Sequence, residues 1–259
     1  MLFKVSPYGF CFNLIAFSTS YMMAHILGEK LYVYEKSNSI SPKIKILQEI
    51  LKENDKVIYI DTLQGYEKEY EYNDASDNIV IRQNLSKEEK HKLISECLVL
   101  NEATYAKLGE LPTYDIAIHC RTGDKITWGE MGIITIDKYI EAVASIKDLP
   151  TEPSIFLMTD NGQVVSDFKT KAPSSWRIFS FTPEVSEAYD QFKFNDKTAK
   201  QKLADLYQLL KELEIAKKCR HFIGTSSSNV GMYIILTHPG KYGVDFFPQS
   251  LDYPIEMLF

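Results

Sequence analysis

The side chains best suited to chemistry follow a short apolar segment near the middle of the chain. Residues 114–125 read YDIAIHCRTGDK, a predicted buried strand that ends in His119, Arg121, Asp124 and Lys125. An apolar strand that ends in charged residues and glycine is how α/β proteins present a ligand site. Arginine binds phosphate well because its planar guanidinium stays charged and donates parallel hydrogen bonds. The segment therefore predicts a site for a phosphorylated ligand.

Two further polar clusters follow predicted strands in the second half of the chain. TDN (159–161) comes after SIFLM, and TSSSN (225–229) stands between HFIG and a helix, where hydroxyls and backbone N–H groups can hold a phosphate. Strand ends converge on one crevice in a doubly wound sheet, so the three clusters together predict a single site. Each cluster alone has a structural alternative, since polar residues before helices commonly cap them and Arg–Asp pairs are commonly structural.

Strand-like runs alternate with helical patterns along the chain, which is typical of βαβ units and parallel sheets. Ser86 with Glu89 three residues later predicts a capping box at the start of a helix. Gly109 and Pro112 end that helix and predict a domain boundary near residue 111. The first half thus contains predicted strands at 2–5, 31–35, 57–60 and 79–82, helices at 12–27, 42–52 and 86–108, and a surface loop at 64–78.

The second half repeats the alternation. Leucines recur at helical spacing between residues 198 and 217, which predicts a long helix there. No internal repeat occurs, so the prediction of two similar halves, 1–111 and 112–259, rests on the order of elements. The predicted strands are 115–119, 154–158, 177–181 and 221–224, and the predicted helices are 136–147, 163–171, 198–217 and 230–237.

Composition excludes several classes of protein. A hydrophobic content of 45% with 25% charged residues describes an ordinary globular protein. A net charge of -6 argues against nucleic acid or an anionic membrane as the main partner. The apolar residues 10–24 are interrupted by polar ones and follow no basic region, so we predict neither a signal peptide nor a membrane span.

The cysteines indicate the compartment. Cys11, Cys97, Cys120 and Cys219 are scattered and form no CxxC pair. This spacing disfavours zinc and a disulfide framework and favours free, mostly buried thiols. We therefore expect a reducing, cytoplasmic location.

Four segments of the chain resemble motifs of the GDP-fucose-dependent fucosyltransferases, the superfamily that holds the α1,2, α1,6 and protein O-fucosyltransferases. IHCRTGDK resembles their HxRxGD or HxRRTD segment, and residues 212–234, ELEIAKKCRHFIGTSSSNVGMYI, resemble their second donor motif. SIFLMTDN resembles their strand followed by TD, and YGFCFN (8–13) is similar to their glycine-rich opening. Order and spacing match over most of the chain, although few residues are identical.

The resemblance implies an α/β fold of the GT-B type, with two Rossmann-like doubly wound domains facing a central cleft. Residues 1–111 would form the acceptor side and residues 112–259 would bind a GDP-sugar. The implied reaction is inverting, metal-independent transfer of fucose or a related GDP-linked hexose to a hydroxyl of a glycan acceptor. The GDP-sugar is a substrate, so the resemblance implies no cofactor.

The resemblance also implies roles for individual residues. Arg121 would contact the β-phosphate and stabilise GDP as it departs. His119 would lie beside the guanosine, with a packed structural histidine as the alternative. Glu212 would accept hydrogen bonds from the guanine N–H groups, with a solvated helix residue as the alternative. The remaining donor-binding residues would be Lys125, Asp160, Ser227, Ser228 and Asn229 from the second half and Gly9 and Asn13 from the N-terminal loop.

Inverting transfer requires a carboxylate that acts as general base on the acceptor hydroxyl. Asp124 and Glu130 are the candidates nearest Arg121, and Asp160 faces the same crevice by strand order. Asp124 has an alternative role as a salt-bridge partner of Arg121 or Lys125. No DxD triplet, which would bind a metal, occurs in the chain. Arginine and a helix dipole would then replace the divalent ion.

The chain departs from the family pattern at three places. Thr122 replaces the second arginine of the α1,2 and α1,6 enzymes, Phe12 replaces a frequent second glycine, and no SWW follows the serine-rich turn. These departures keep a second hypothesis open, a GT-B-like protein that binds GDP-sugars without turnover. A Rossmann-type oxidoreductase is disfavoured because no GxGxxG follows a predicted strand.

Overall fold

The computed structural model describes residues 1–6, 9–36, 40, 44–64, 74–123, 134–225 and 228–238. Contacts within the chain divide it into two compact units. The first unit contains Met1–Gly109 and Ala199–Tyr207, and the second contains Glu110–Thr198 and the described residues from Gln208 onward. Among the described residues, none of the helices combines the length and apolar character needed to cross a bilayer.

The first unit is built on a three-stranded parallel sheet of order β1-β2-β3. Leu31 and Val33 of its central strand are fully buried and lie on the same face of the sheet, because they are two residues apart. Helix α1 is apolar around most of its circumference and packs against α3, α4 and β2. The elements are β1 Leu2–Lys4, α1 Phe10–Ile26, β2 Leu31–Tyr34, α2 Ile46–Ile50, β3 Val57–Ile60, α3 Asp74–Asn84, α4 Lys87–Cys97 and α5 Glu102–Leu108.

The second unit is built on a four-stranded parallel sheet of order β6-β5-β4-β7. Residues such as Ile118 and Leu157 pair across the central strands and belong to a buried cluster with Tyr139 and Phe168 of the covering helices. The elements from Glu110 onward are β4 Ile116–Cys120, α6 Ile136–Ala144, β5 Ser154–Thr159, α7 Gly162–Lys171, β6 Arg177–Phe179, α8 Gln191–Asp196, α9 Ala199–Lys218, β7 His221–Ile223 and α10 Asn229–Thr237. The first part of α9, Ala199–Tyr207, belongs to the first unit.

The order of the second sheet decides where polar side chains meet. Strand β4 lies between β5 and β7, and all three run in the same direction. Their carboxyl ends therefore lie at one edge of the sheet. The predicted α/β class with parallel strands is confirmed.

The predicted strand at 79–82 is wrong, because these residues lie in helix α3. Asp77 and Ile81, four residues apart, are both buried, whereas Ile79 is exposed, which is the pattern of one buried helix face. A short apolar run does not distinguish the two states by periodicity alone. The predicted loop at 64–78 is wrong from Asp74 onward, where α3 begins, and residues 65–73 lie outside the described residues.

The single helix predicted at 86–108 is two helices, α4 and α5. Leu100 forms a bridge with Leu51, and the Lys52 N–H donates to the Val99 carbonyl at 2.8 Å, so the chain is extended between the helices. Asn101 then caps α5 by accepting the Thr104 N–H at 2.8 Å. The predicted capping box at the start of α4 is confirmed, with reciprocal Ser86–Glu89 hydrogen bonds. Helix α8 was not predicted.

Candidate functional site

Arg121 and Asp160 form the centre of the polar edge of the second sheet. Arg121 follows β4, Asp160 follows β5, and Nη1 of the arginine lies 2.5 Å from Oδ2 of the aspartate. The other carboxylate oxygen, Oδ1, accepts the backbone N–H of Thr122 at 3.0 Å and its hydroxyl at 3.3 Å. Both charged side chains are mostly buried, at 15% and 12% exposure, so water screens the pair only partly.

The ring of Tyr189 lies beside the same guanidinium. Cζ of Arg121 lies 4.9 Å from the centre of the Tyr189 ring, within the range of cation–π attraction. The Tyr189 N–H donates to the carbonyl of Asp160 at 2.9 Å. The segment that carries this ring, residues 182–190, is called the Tyr189 loop below. The arginine is therefore held by a carboxylate at the end of β5 and by an aromatic ring from the loop after β6.

The Tyr189 loop is fastened over the end of β5. The Thr182 hydroxyl donates to the Thr159 carbonyl at 2.5 Å, and the Gly162 N–H donates to the Ser186 carbonyl at 3.0 Å. A Cβ at Gly162 would lie 2.5 Å from the Glu184 carbonyl oxygen, which leaves no room for a side chain. This glycine allows the loop to approach α7 closely.

Gly123 has the same function next to Arg121. A Cβ at this position would lie 2.8 Å from the Tyr189 carbonyl oxygen and closer still to the Asp160 carboxylate. Any side chain at this position would push apart the two groups that hold the arginine. The glycine of the HCRTG run is thus required by the close packing of the site.

His119 is buried on β4 and faces β7. A Cβ at Gly224, after β7, would lie 3.5 Å from the His119 Cβ, so the ends of the two strands are in contact. Burial, and to a smaller extent the nearby Arg121 charge, lowers the pKa of His119 to about 3. The imidazole is therefore neutral at physiological pH. Among the described residues, its Nδ1 has no hydrogen-bond partner.

The N-terminus of α10 supplies backbone N–H groups. Ser228 is the N-cap residue of α10, and its side chain makes no capping hydrogen bond. Asn229 is the first helical residue, and both lie after the fully buried Thr225. The first N–H groups of a helix have no partner within the helix, so an anion at this end is stabilised by them and by the helix dipole.

Glu212 lies in the buried part of α9. It is 9% exposed, and its Oε1 accepts a hydrogen bond of 3.2 Å from Gln208 Nε2, one turn earlier. Burial raises the pKa of its carboxyl to about 7. The alternative of a solvated helix residue is therefore wrong.

The predicted residues of the N-terminal loop lie in the first unit. Asn13 is buried, accepts the Ser6 N–H at 2.9 Å and donates to the Ser6 carbonyl at 3.2 Å. Its side chain thus fastens the connection between β1 and α1. Gly9 is the N-cap residue of α1, and its carbonyl accepts the Asn13 N–H. Four predicted site residues lie outside the described residues: Asp124, Lys125, Glu130 and Ser227.

Sequence reasoning missed Tyr189 and the Tyr189 loop. The three predicted clusters follow β4, β5 and β7, and the same argument applied to β6 would have included residues 180–190. The structural alternative is right for one predicted residue, because Asn161 caps α7 by accepting the Gln163 N–H at 3.0 Å.

The fold of this chain is similar to that of solved structures, although no sequence comparison gives a match. A scan against protein-family models gives no match, and a search of curated protein sequences gives no significant match. The fucosyltransferase NodZ from Bradyrhizobium superposes with a TM-score of 0.60 over 92% of both chains at 14% identity. The NodZ α-1,6-fucosyltransferase soaked with GDP-fucose gives 0.58 with the same coverage and identity.

A mutant of Arabidopsis thaliana FUT1 in complex with GDP is also similar. It superposes with a TM-score of 0.54 at 10% identity, over 93% of this chain and 69% of the other. At identities this low, the superpositions show a shared fold and nothing more. The shared fold extends over nearly the whole of this chain. The structural neighbours of the chain are GDP-fucose-dependent fucosyltransferases, as the sequence resemblance predicted.

Proposed function

We propose that this protein is a glycosyltransferase that moves fucose, or a related GDP-linked hexose, from a GDP-sugar to a hydroxyl of a glycan acceptor. The observation that carries the proposal is the fixed Arg121, held by Asp160 at the edge where β4, β5 and β7 end. A protein of the same fold, NodZ, has been co-crystallised with GDP and soaked with GDP-fucose. Fold and site thus support the same class of donor.

The proposed chemistry is inverting displacement without a metal ion. The acceptor hydroxyl attacks the anomeric carbon from the side opposite the nucleotide, while negative charge grows on the departing β-phosphate. Arg121 would stabilise that charge, and the N-terminus of α10 would add its partial positive charge. Metal independence is supported by the absence of a DxD triplet from the sequence.

The nucleoside end of the donor would be held by Glu212 and His119. An ionised Glu212 carboxylate accepts hydrogen bonds, which matches the N–H groups along one edge of guanine. A neutral His119 presents one donor and one acceptor nitrogen, and its unpartnered Nδ1 is consistent with a ligand contact. These roles rest on the family resemblance together with the burial of both side chains.

The general base is proposed to be Asp124 or Glu130. Asp160 fits a positioning role better, because three donors from Arg121 and Thr122 already engage its carboxylate. Proton abstraction requires a carboxylate oxygen that reaches the acceptor hydroxyl. The hydrogen bonds of Asp160 point both of its oxygens at its own protein neighbours.

We also propose an architecture of the GT-B type and a cytoplasmic location for this protein. Two Rossmann-like domains would face a cleft, with the acceptor on residues 1–111 and the GDP-sugar on residues 112–259, as in the GT-B type. A reducing, cytoplasmic location is supported by the four cysteines, which are buried free thiols. Burial raises the pKa of the Cys120 thiol to about 12, which keeps it unreactive.

Turnover tests the proposal directly. The protein would be incubated with GDP-fucose or GDP-mannose and a panel of glycans, with and without EDTA, and GDP release and glycan mass would be measured. We expect transfer that persists in EDTA and is lost in Arg121→Ala. Arg220→Ala is the matched control, because Arg220 is 63% exposed and pairs with Asp148 in the same unit. Tight GDP binding without transfer or hydrolysis would favour the non-catalytic alternative, and neither binding nor turnover would contradict both.

A further inference from the structure

We infer that Tyr189 is a positioning residue that orients Arg121 toward the β-phosphate of the donor. The inference rests on the proposed function and extends it to a residue of the Tyr189 loop. Asp160 binds one nitrogen of the guanidinium, and the guanidinium Cζ lies over the Tyr189 ring, 4.9 Å from its centre. The two contacts constrain the group in different directions.

The geometry explains why a ring is suited to this position. The electron-rich face of an aromatic ring attracts a cation without offering a carboxylate or carbonyl oxygen. A ring therefore constrains the arginine without adding another anionic acceptor beside it. It is also uncharged, so it stabilises the cation without adding to the negative charge that Asp160 already places beside it.

The ring itself is held in place. The Tyr189 N–H donates to the Asp160 carbonyl at 2.9 Å, and the phenol donates to Gln191 Oε1 at 3.1 Å. The Phe194 ring lies 5.9 Å from the Tyr189 ring. Asp190 caps α8 by accepting the Lys193 N–H at 3.0 Å, so the residue after Tyr189 is also fixed. The same backbone that positions Tyr189 thus positions Asp160.

Comparing GDP with GMP isolates this role, because only GDP carries the β-phosphate. Calorimetry would measure the dissociation constants of both nucleotides for wild type, Tyr189→Ala, Tyr189→Phe and Tyr189→Leu. We expect Tyr189→Ala and Tyr189→Leu to weaken GDP binding by about 3- to 30-fold, as the loss of one cation–π contact predicts. GMP binding should change by less than about twofold, and Tyr189→Phe should keep most of the GDP affinity.

A double-mutant cycle with Arg121→Ala completes the test. If Tyr189 acts through the arginine, replacing it in the Arg121→Ala background should leave GDP binding unchanged. Phe192→Ala is the control, because Phe192 lies in the adjoining helix α8 and is 70% exposed. Tyr189→Leu keeps the bulk of the side chain without the aromatic face, so it provides the answer if Tyr189→Ala fails to fold.

Three outcomes would overturn the inference alone. One is an equal loss of GMP and GDP affinity, which indicates a structural role or a direct contact with the nucleoside. The other is a loss of GDP affinity that persists in the Arg121→Ala background. GDP binding that no Tyr189 variant alters would also contradict it, while leaving the proposed function intact. A wild-type protein that binds no GDP would overturn the proposed function and this role together.

Discussion

Arg121 and Asp160 are 39 residues apart in the chain, yet Nη1 of the arginine lies 2.5 Å from Oδ2 of the aspartate. The pairing is possible because β4 and β5 are adjacent parallel strands that end at the same edge of the sheet. Thr122, at which the sequence departs from the fucosyltransferase pattern that it resembles, donates its N–H and its hydroxyl to the other carboxylate oxygen. The departure at this position thus preserves a fully engaged aspartate.

Replacing Asp160 with asparagine should destabilise the protein. The change keeps the shape of the side chain but removes the negative charge that faces the largely buried Arg121. We expect the free energy of unfolding to fall by about 1–3 kcal/mol, measured by urea denaturation. Glu141→Gln is the control, because the pair of Glu141 with Lys138 is exposed on both sides and should contribute less than about 1 kcal/mol. Equal losses of unfolding free energy in the two variants would show that the Arg121–Asp160 pair stabilises the protein no more than an exposed ion pair does.

The affinity for GDP should rise as the pH increases from 6 to 8. Burial raises the pKa of Glu212 to about 7, and only the ionised carboxylate accepts hydrogen bonds from guanine with both oxygens. Calorimetry at several pH values would measure the trend. The GDP phosphate also titrates near this range, so Glu212→Gln serves as the control, and its affinity should be weaker and less dependent on pH. The same pH profile in both proteins would exclude Glu212 as the titrating group.

Glu212 should also make stability depend on pH. Its folded pKa, about 7, lies above its ordinary value of 4.5. A carboxyl group whose pKa is raised by folding stabilises the folded state when the pH lies below the ordinary pKa. That stabilisation is lost as the pH rises through the folded pKa. Urea denaturation at pH 5 and pH 8 would measure the free energy of unfolding of wild type and Glu212→Gln. From pH 5 to pH 8, we expect the free energy of unfolding of wild type to fall by about 2 kcal/mol relative to that of Glu212→Gln. A constant difference between the two proteins would contradict this prediction.

Much of the second unit could be predicted from sequence for a physical reason. Strands β4 and β5 are buried on both faces, so they appear as continuous apolar runs whose polar ends are conspicuous. Helix α3 was missed because IVIR satisfies a strand pattern and a helix pattern equally well. Tyr189 was missed because the strand-end argument was not extended to β6 and because its place beside Arg121 depends on tertiary contacts of the Tyr189 loop, such as that with the Thr159 carbonyl.

Substituting alanine for Gly231 should destabilise the second unit. A Cβ at this third residue of α10 would collide with the carbonyl oxygen of Thr225, which belongs to the turn after β7. Alanine normally stabilises a helix by about 1 kcal/mol relative to glycine, so a loss of about 1–3 kcal/mol is diagnostic of the collision. Thermal denaturation would measure it. Gly9→Ala is the control, because an added Cβ at Gly9 meets no atom within 4 Å, and it should cost no more than about 1 kcal/mol of stability. A gain in stability in Gly231→Ala would contradict the packing described.

The central claim is that the edge formed by β4, β5 and β7 binds a GDP-sugar through Arg121. Isothermal titration calorimetry with GDP, ADP and UDP, on wild type, Arg121→Ala and Arg220→Ala, tests it most directly. We predict that GDP binds at least about tenfold more tightly than the other two nucleotides, and that Arg121→Ala weakens GDP binding by about 10- to 100-fold while Arg220→Ala does not. Equal affinity for the three nucleotides, or GDP binding that Arg121→Ala leaves unchanged, would contradict the claim.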